Sequence, residues 1–471
     1  MKRLVGGIVL AACVVAVVFG AQLLAPSASQ ASPDGAQTSR QQGTASPSEH
    51  AEDALATDLP LIELSTDGQR IGKEAPIVAE LSVRDSGGTN YSDDEPTLVS
   101  DVALKYRGNS SYLTFDKLSY RVTLLEDGAD GTESARREES LLGMASDSAW
   151  VLYGPFLDRS LVRNKVMYGI AREIMDWAPD ARFCELIVDG EYQGIYLLIE
   201  PVRDSAGRLG LTQFGLVSGE TAYLVKRDRE STEDNVIETY GILNGYTQQE
   251  LSIVYPNEEE ITDAQRSWIA GDLSRFEQVL YSDAFADPEV GYAAYIDVDE
   301  FVDYYLINEF AMISDAGYLS TYIYKDFDEK IKLVVWDFNN GFDNYPWDPK
   351  STDEFVVAGN NWFDRLLQDR AFVDAVCQRW VELRSGILSD EALVERIEGE
   401  YASLGDAVER NTEVWGYTYH EDMLPSQAED GSDRAEPSSP DEAVAMLEDT
   451  ALARAAWMDE HLADLYAGCV N

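Results

Sequence analysis

Apolar positions alternate along the first part of the chain and recur at helical spacing along the last part. Leu59–Leu64 and Ile77–Val83 alternate as strands, with Thr66-Asp67-Gly68 as a turn between them. Val102–Tyr106 and Leu118–Leu125 predict two more strands. Asp158–Trp177 reads as a helix: Val162, Val166, Ile170 and Ile174 share one face, and Asp158 suits the N-cap. Phe183–Val188 and Tyr192–Ile199 flank Asp189-Gly190, a hairpin turn, and this hairpin ends at Glu200-Pro201. A strand at Thr221–Arg227 and helices near 262–282 and 298–314 follow. Phe363–Leu383, Ser389–Gly405 and Pro440–Tyr466 then carry helical periodicity, the last opened by the capping box Ser439-Pro440-Asp441-Glu442.

Between these two regimes lies Phe310–Tyr345. A helical run ends just before Asp315, and a short aromatic strand, Thr321–Tyr324, follows. The polar turn Asp326–Lys330 reverses the chain, and the apolar strand Ile331–Trp336 delivers Asp337. Two carboxylates thus stand at the two ends of a hairpin. Phosphoryl transfer uses such a pair, one to orient and deprotonate the accepting hydroxyl and one to hold Mg²⁺. Asp is also common in turns, so ordinary loop aspartates stay open on spacing alone. Upstream, strand Val102–Tyr106 runs into Arg107-Gly108-Asn109-Ser110-Ser111, and the next strand carries Lys117 at its start and Arg121 within it. A strand, a small polar loop and a cation-bearing strand suit a phosphate, and they equally suit a plain hairpin.

Composition narrows the partners. The chain has 471 residues, 45% of them hydrophobic, enough for a full core. Asp and Glu number 86 against 36 Lys and Arg, a net charge of −50. That excess disfavours nucleic acid, and it requires any nucleotide site to be locally basic or metal-loaded. Four Cys are too few for a disulfide scaffold, and Cys184 and Cys377 lie in apolar runs as expected buried thiols. Only three His, with no Cys-x-x-Cys, argue against zinc. Met1-Lys2-Arg3 followed by the apolar run Leu4–Ala25 predicts an export signal, cleaved near Ser29-Gln30-Ala31 or retained as a single membrane anchor. Pro26–Asp58 reads as a flexible tether, and the acidic Pro/Ser-rich stretch 421–440 as a mobile loop.

Six short motifs in order resemble the CotH family of atypical kinases (spore-coat-protein-H type). They are Arg107–Ser111; Lys117 with Ser119-Tyr120-Arg121; Trp150–Pro155 before Asp158; Leu161–Asn164; Val188–Glu200; and Ile307-Asn308-Glu309 through Trp336-Asp337-Phe338. The resemblance implies an α+β, two-lobed protein-kinase-like fold that uses ATP with Mg²⁺ or Mn²⁺ to phosphorylate Ser in protein substrates. The leader and tether make residues 1–31 the expected signal or anchor and 32–58 the linker; from Leu59 onward the resemblance implies 59–200 as a β-rich N-lobe, 201–390 as a C-lobe with the catalytic hairpin, and 391–471 as a helical extension. It also implies that Asp315 is the catalytic base and Asp337 the metal ligand. Lys117, with Arg107 or Arg121, would hold phosphates under the loop Asn109, Ser110 and Ser111, and Glu200 would mark the hinge near the adenine. Two positions depart from the family pattern. Ser320 stands where an Asn ligand to a second cation is usual, and Asn339 where an Asp is frequent; both are weaker ligands for a hard cation. The resemblance therefore points to an exported protein kinase acting on an envelope or coat protein. An impaired pseudokinase serving as an assembly module is the alternative.

Overall fold

The computed structural model describes residues 50–212, 219–228, 235–344, 350–420 and 436–471. The leader, most of the tether and the acidic stretch 421–435 lie outside the described residues. Seven strands close into a barrel: β1 (Leu61–Ser65), β2 (Ile77–Arg84), β3 (Leu98–Arg107), β4 (Ser119–Leu124), β5 (Ala149–Tyr153), β6 (Ala181–Val188) and β7 (Glu191–Ile199). The order around it is β1-β2-β3-β4-β5-β7-β6. Every pairing is antiparallel except the closing one, in which β1 runs parallel to β6. Alternation explains the closure. Val102, Leu104, Tyr120, Val122, Trp150, Leu152 and Leu198 fill the interior, while Val151, Leu197 and Ile199 pack outward on the rest of the protein. Asp189 and Gly190 between β6 and β7 both take positive φ, as a two-residue hairpin turn of this kind requires.

The expected helix from Asp158 begins later, as α1 (Arg163–Ile174). Asp158 is not its N-cap. The Asp158 carboxylate accepts from the Arg163 backbone N–H at 2.9 Å and from the Arg163 guanidinium at 2.6 Å, both buried. A second sheet has the order β9-β10-β8-β11-β12, built from β8 (Tyr223–Arg227), β9 (Val236–Ile237), β10 (Leu251–Tyr255), β11 (Thr321–Lys325) and β12 (Lys332–Val334). The central hairpin is β11–β12, with a shorter second strand than Ile331–Trp336.

Helices α2 (Asp263–Leu280) and α3 (Val298–Phe310) precede that hairpin. Thr262 and Gln265 form a reciprocal capping box on α2, and Asp297 caps α3. After the hairpin the expected helix Phe363–Leu383 is divided into Trp362–Leu366 and α4 (Arg370–Arg384), because Asp369 caps a new start through the Ala371 N–H. Then come α5 (Asp390–Ala402), α6 (Ala407–Trp415) and α7 (Pro440–His461), the last continuing as a 3-10 turn.

Residues 50–58 join the fold instead of extending the tether. Ala56–Thr57 pair with Asn90–Tyr91, and His50 stacks on Tyr91. The described residues from His50 onward pack as a single compact unit. Cys184 is buried and Cys377 half-buried, both as free thiols.

Helix α7 belongs to the core. Arg454 and Glu309 are both 0% exposed and pair at 2.6 Å. Arg454 also donates to the carbonyls of Glu309, Thr352 and Glu354, and Glu309 accepts from the N–H groups of Val356 and Val357. This pair ties the C-terminal helix to α3, whose end leads into Asp315. Removing one partner of a buried pair leaves an uncompensated charge, so Arg454→Leu is expected to lower stability by about 3–5 kcal/mol. Chemical denaturation measures this, and a loss under about 1 kcal/mol would show that the pair does not anchor α7.

Candidate active site

Two adjoining cavities, of about 290 and 230 Å³, form one cleft beside the barrel. Both are lined by Asp315, Leu319, Ser320, Trp336, Asp337 and Asn340. The larger one continues along the barrel wall past Arg107, Gly108, Asn109, Ser111, Ser119 and Tyr153, and it takes in Lys226 and Asp228 from the end of β8. The smaller continues past Asn308, Asp343 and Lys350.

Asp337 lies three residues beyond the end of β12 in a left-handed conformation, φ +68°. A non-glycine residue held there is unusual, and α1 supplies the hold. The Asp337 N–H donates to the Tyr168 hydroxyl at 3.2 Å, the Phe338 N–H to Asn164 Oδ1 at 2.8 Å, and Arg163 Nε to the Gly341 carbonyl at 3.1 Å. Arg163 and Asn164, which the sequence leaves as possible local caps, thus position the turn that carries Asp337. Burial pushes the half-buried Asp337 carboxyl up to about 6; Arg107 pulls it down, and Asp315 and Asp228 push it further up. Three carboxylates and one guanidinium therefore meet electrostatically in one cleft. Arg107 is held there over the Trp336 ring, 5.3 Å from its centroid.

Asp315 lies in a turn whose backbone is pinned from behind. Its carbonyl accepts from the N–H groups of Tyr318 and Leu319 at 2.9 and 2.8 Å. Asn360 donates to the carbonyls of Ser314 and Ala316, both at 2.8 Å. Asn361 and the buried Arg227 converge on the Gly317 carbonyl at 3.0 and 2.8 Å. Strand alternation explains why β8 serves two purposes: Arg227 faces this turn, while Lys226 and Asp228 line the cleft, 3.8 Å apart.

The expected site residues separate into two groups. Asp315, Asp337, Ser320, Arg107, Asn109 and Ser111 share the cleft lining. Ser110 opens a short helix, Ser110–Thr114, where a polar loop was expected. Gly108 before it has φ +97°, and a Cβ there would lie 2.1 Å from Ser111 Oγ, so the tight approach requires glycine. Arg121 lies outside the lining, one strand pair further along the same barrel face. Lys117 and Glu200 are also outside it. Lys117 is buried, its ammonium donating to Asn411 Oδ1 at 2.8 Å between the rings of Tyr196 and Trp415, and burial pushes it well below the usual lysine range. Glu200 is buried against Arg208 at 2.9 Å and accepts from the Asp180 N–H. Neither is positioned in this structure to touch a ligand in the cleft.

The family model described as CotH kinase protein matches residues 104–458. The chain belongs to the CotH family. The matched region contains every cleft residue named above, whereas β1 and β2, which complete the barrel, precede it. No curated protein matches the sequence. In this CotH chain the donor set fits a hard divalent cation: carboxylates of Asp337, Asp315 and Asp228, with the amide of Asn339 beside them. Among the described residues Asn339 Oδ1 is buried without a hydrogen-bond partner, an acceptor that a cation would satisfy. Ser320, with φ +48°, adds a hydroxyl.

Lys226 and Asp228 are the residues that sequence reasoning missed. Their signal is weak, a Lys-Arg-Asp run at the end of an apolar strand.

Because the folded Asp337 carboxyl titrates near 6 against an ordinary 3.8, the folded protein holds that proton more tightly than the unfolded chain does. Its ionisation costs nothing below about pH 4 and destabilises the fold as pH rises through 6. Without divalent cations, Asp337→Asn is expected to leave stability unchanged at pH 4 and to raise it at pH 7, by up to about 3 kcal/mol. Denaturation in EDTA at the two pH values checks this; a variant less stable than wild type at pH 7 would contradict it.

Proposed function

We propose that this CotH chain is an exported protein kinase that moves the γ-phosphoryl group of ATP to a Ser or Thr hydroxyl of an envelope or coat protein. The observation that carries the reading is the convergence of Asp315, Asp337 and Asp228 with Arg107 in one cleft. Asp337, Asp228 and Asn339 are the groups suited to hold Mg²⁺ or Mn²⁺. A cation held there would neutralise charge on the phosphates and on the transferring group.

Arg107 and Lys226 bring positive charge to a protein whose net charge of −50 otherwise repels nucleotide. Asp315 orients the acceptor hydroxyl and takes its proton as the oxygen attacks phosphorus; the bond to the β-phosphate oxygen breaks and ADP leaves. The hydroxyl is a weak nucleophile, so alignment and charge neutralisation supply most of the rate. The export part rests on the leader Met1–Ala25.

A second reading, a nucleotide-binding assembly module without turnover, is favoured by Ser320 alone. Its hydroxyl is a poor substitute for a ligand amide.

The test is transfer of label from γ-labelled ATP to casein with Mg²⁺ or Mn²⁺, read with nucleotide-induced thermal shift. Asp315→Asn is expected to keep the thermal shift and to lower transfer by about 10²–10⁴-fold. Asp337→Ala is expected to lose both. A thermal shift in wild type with no transfer under either metal would favour the assembly module, and transfer that survives Asp337→Ala would refute the site.

A further inference from the structure

We propose that the outer face of β3 and β4 beside the cleft seats a run of acidic residues in the acceptor protein, a substrate preference that rests on the kinase reading above. The register sets Lys105 directly opposite Arg121, and the next pair on the same face is Arg107 opposite Ser119. Arg107 and Ser119 line the cleft; Lys105 and Arg121 do not. The two pairs are about 7 Å apart along the strands.

Two cations directly opposite on a sheet repel and cost stability. Here the one opposing charge, Glu74, acts on the Lys105 side. Arg121 is exposed and makes no hydrogen bond or ion pair among the described residues. Desolvation disfavours its charge most, the charges of Arg203, Arg136 and Arg107 add to this, and Tyr322 acts the other way. Lys105 faces Arg121 and Lys73, with only Glu74 against them, and donates to the Glu74 carbonyl at 3.4 Å. In a chain with 86 acidic residues and 36 basic ones, a partner for Arg121 would be easy to supply. A cationic patch kept open on such a surface fits an anion that arrives from outside.

The nucleotide phosphates are accounted for by Arg107 and Lys226 inside the cleft. Nucleic acid would meet the acidic remainder of the surface. A short acidic peptide fits the patch in both sign and size. The patch stands about 7 Å along the strands from the Arg107–Ser119 pair at the cleft wall, so the acidic run is expected close in sequence to the acceptor hydroxyl.

The test measures binding without turnover. Two fluorescent peptides with one Ser are titrated into the full chain at fixed ionic strength, one with three Glu residues starting two positions from the Ser and one with Gln in their place. The Glu peptide is expected to bind at least about tenfold tighter. Lys105→Gln/Arg121→Gln is expected to remove that preference while the thermal shift by ATP and Mn²⁺ stays as in wild type. Lys105→Glu/Arg121→Glu should reverse the preference. Equal binding of the two peptides to wild type would overturn the proposal. So would loss of the nucleotide shift in the Gln double variant, which would assign the face to the nucleotide. Peptide preference with no nucleotide shift in wild type would instead overturn the kinase reading, and with it the acceptor role.

Discussion

Like charge held close together in a half-buried cleft is the constraint around which the rest is arranged. Asp337 ionises with difficulty because it is buried and because Asp315 and Asp228 bear on it. Only Arg107 among the groups acting on it offsets this. Such a cluster lowers the stability of the protein alone and creates a demand for a cation. Fold and site meet on that demand. The barrel supplies Arg107, β8 supplies Lys226 and Asp228, and the hairpin supplies Asp315 and Asp337.

Loops carry both central acids, yet neither loop is left to its own conformational preferences. Three residues of α1 hold the turn after Asp337 in its left-handed start. Asn360, Asn361 and Arg227 pin three carbonyls around Asp315. The Glu309–Arg454 pair ties α7 to α3, and Arg410 and Asn411 of α6 grip the barrel at Glu185 and Ile195. The proposed phosphoryl transfer would need this, since such chemistry depends more on positioning than on any reactive side chain.

Local pattern made much of this legible. The hairpin, its two acids and the strand leading to Arg107 follow from alternation and turn residues. Barrel closure does not, because the β1–β6 pairing is parallel and joins distant segments. Lys117 illustrates the same limit. Beside a polar loop it reads as a phosphate ligand, but its ammonium partner Asn411 is 294 residues away and takes it into the interior. Glu200 is removed from the cleft by Arg208 in the same way. Lys226 and Asp228 were hidden for the opposite reason, since charges at a strand end look like an ordinary exit from a sheet. Asn164 and Asn360 act on backbone groups far along the chain, and no local pattern marks such contacts.

The most direct measurement is a crystal structure of the protein with Mn²⁺ and a non-hydrolysable ATP analogue, with the metal located by its anomalous signal. Mn²⁺ is expected on the Asp337 carboxylate with Asp228 or Asn339 completing its protein ligands, and the analogue's phosphates beside Arg107 and Lys226. Metal and analogue bound away from Asp337, or a cleft that takes up neither at saturating concentrations, would contradict it.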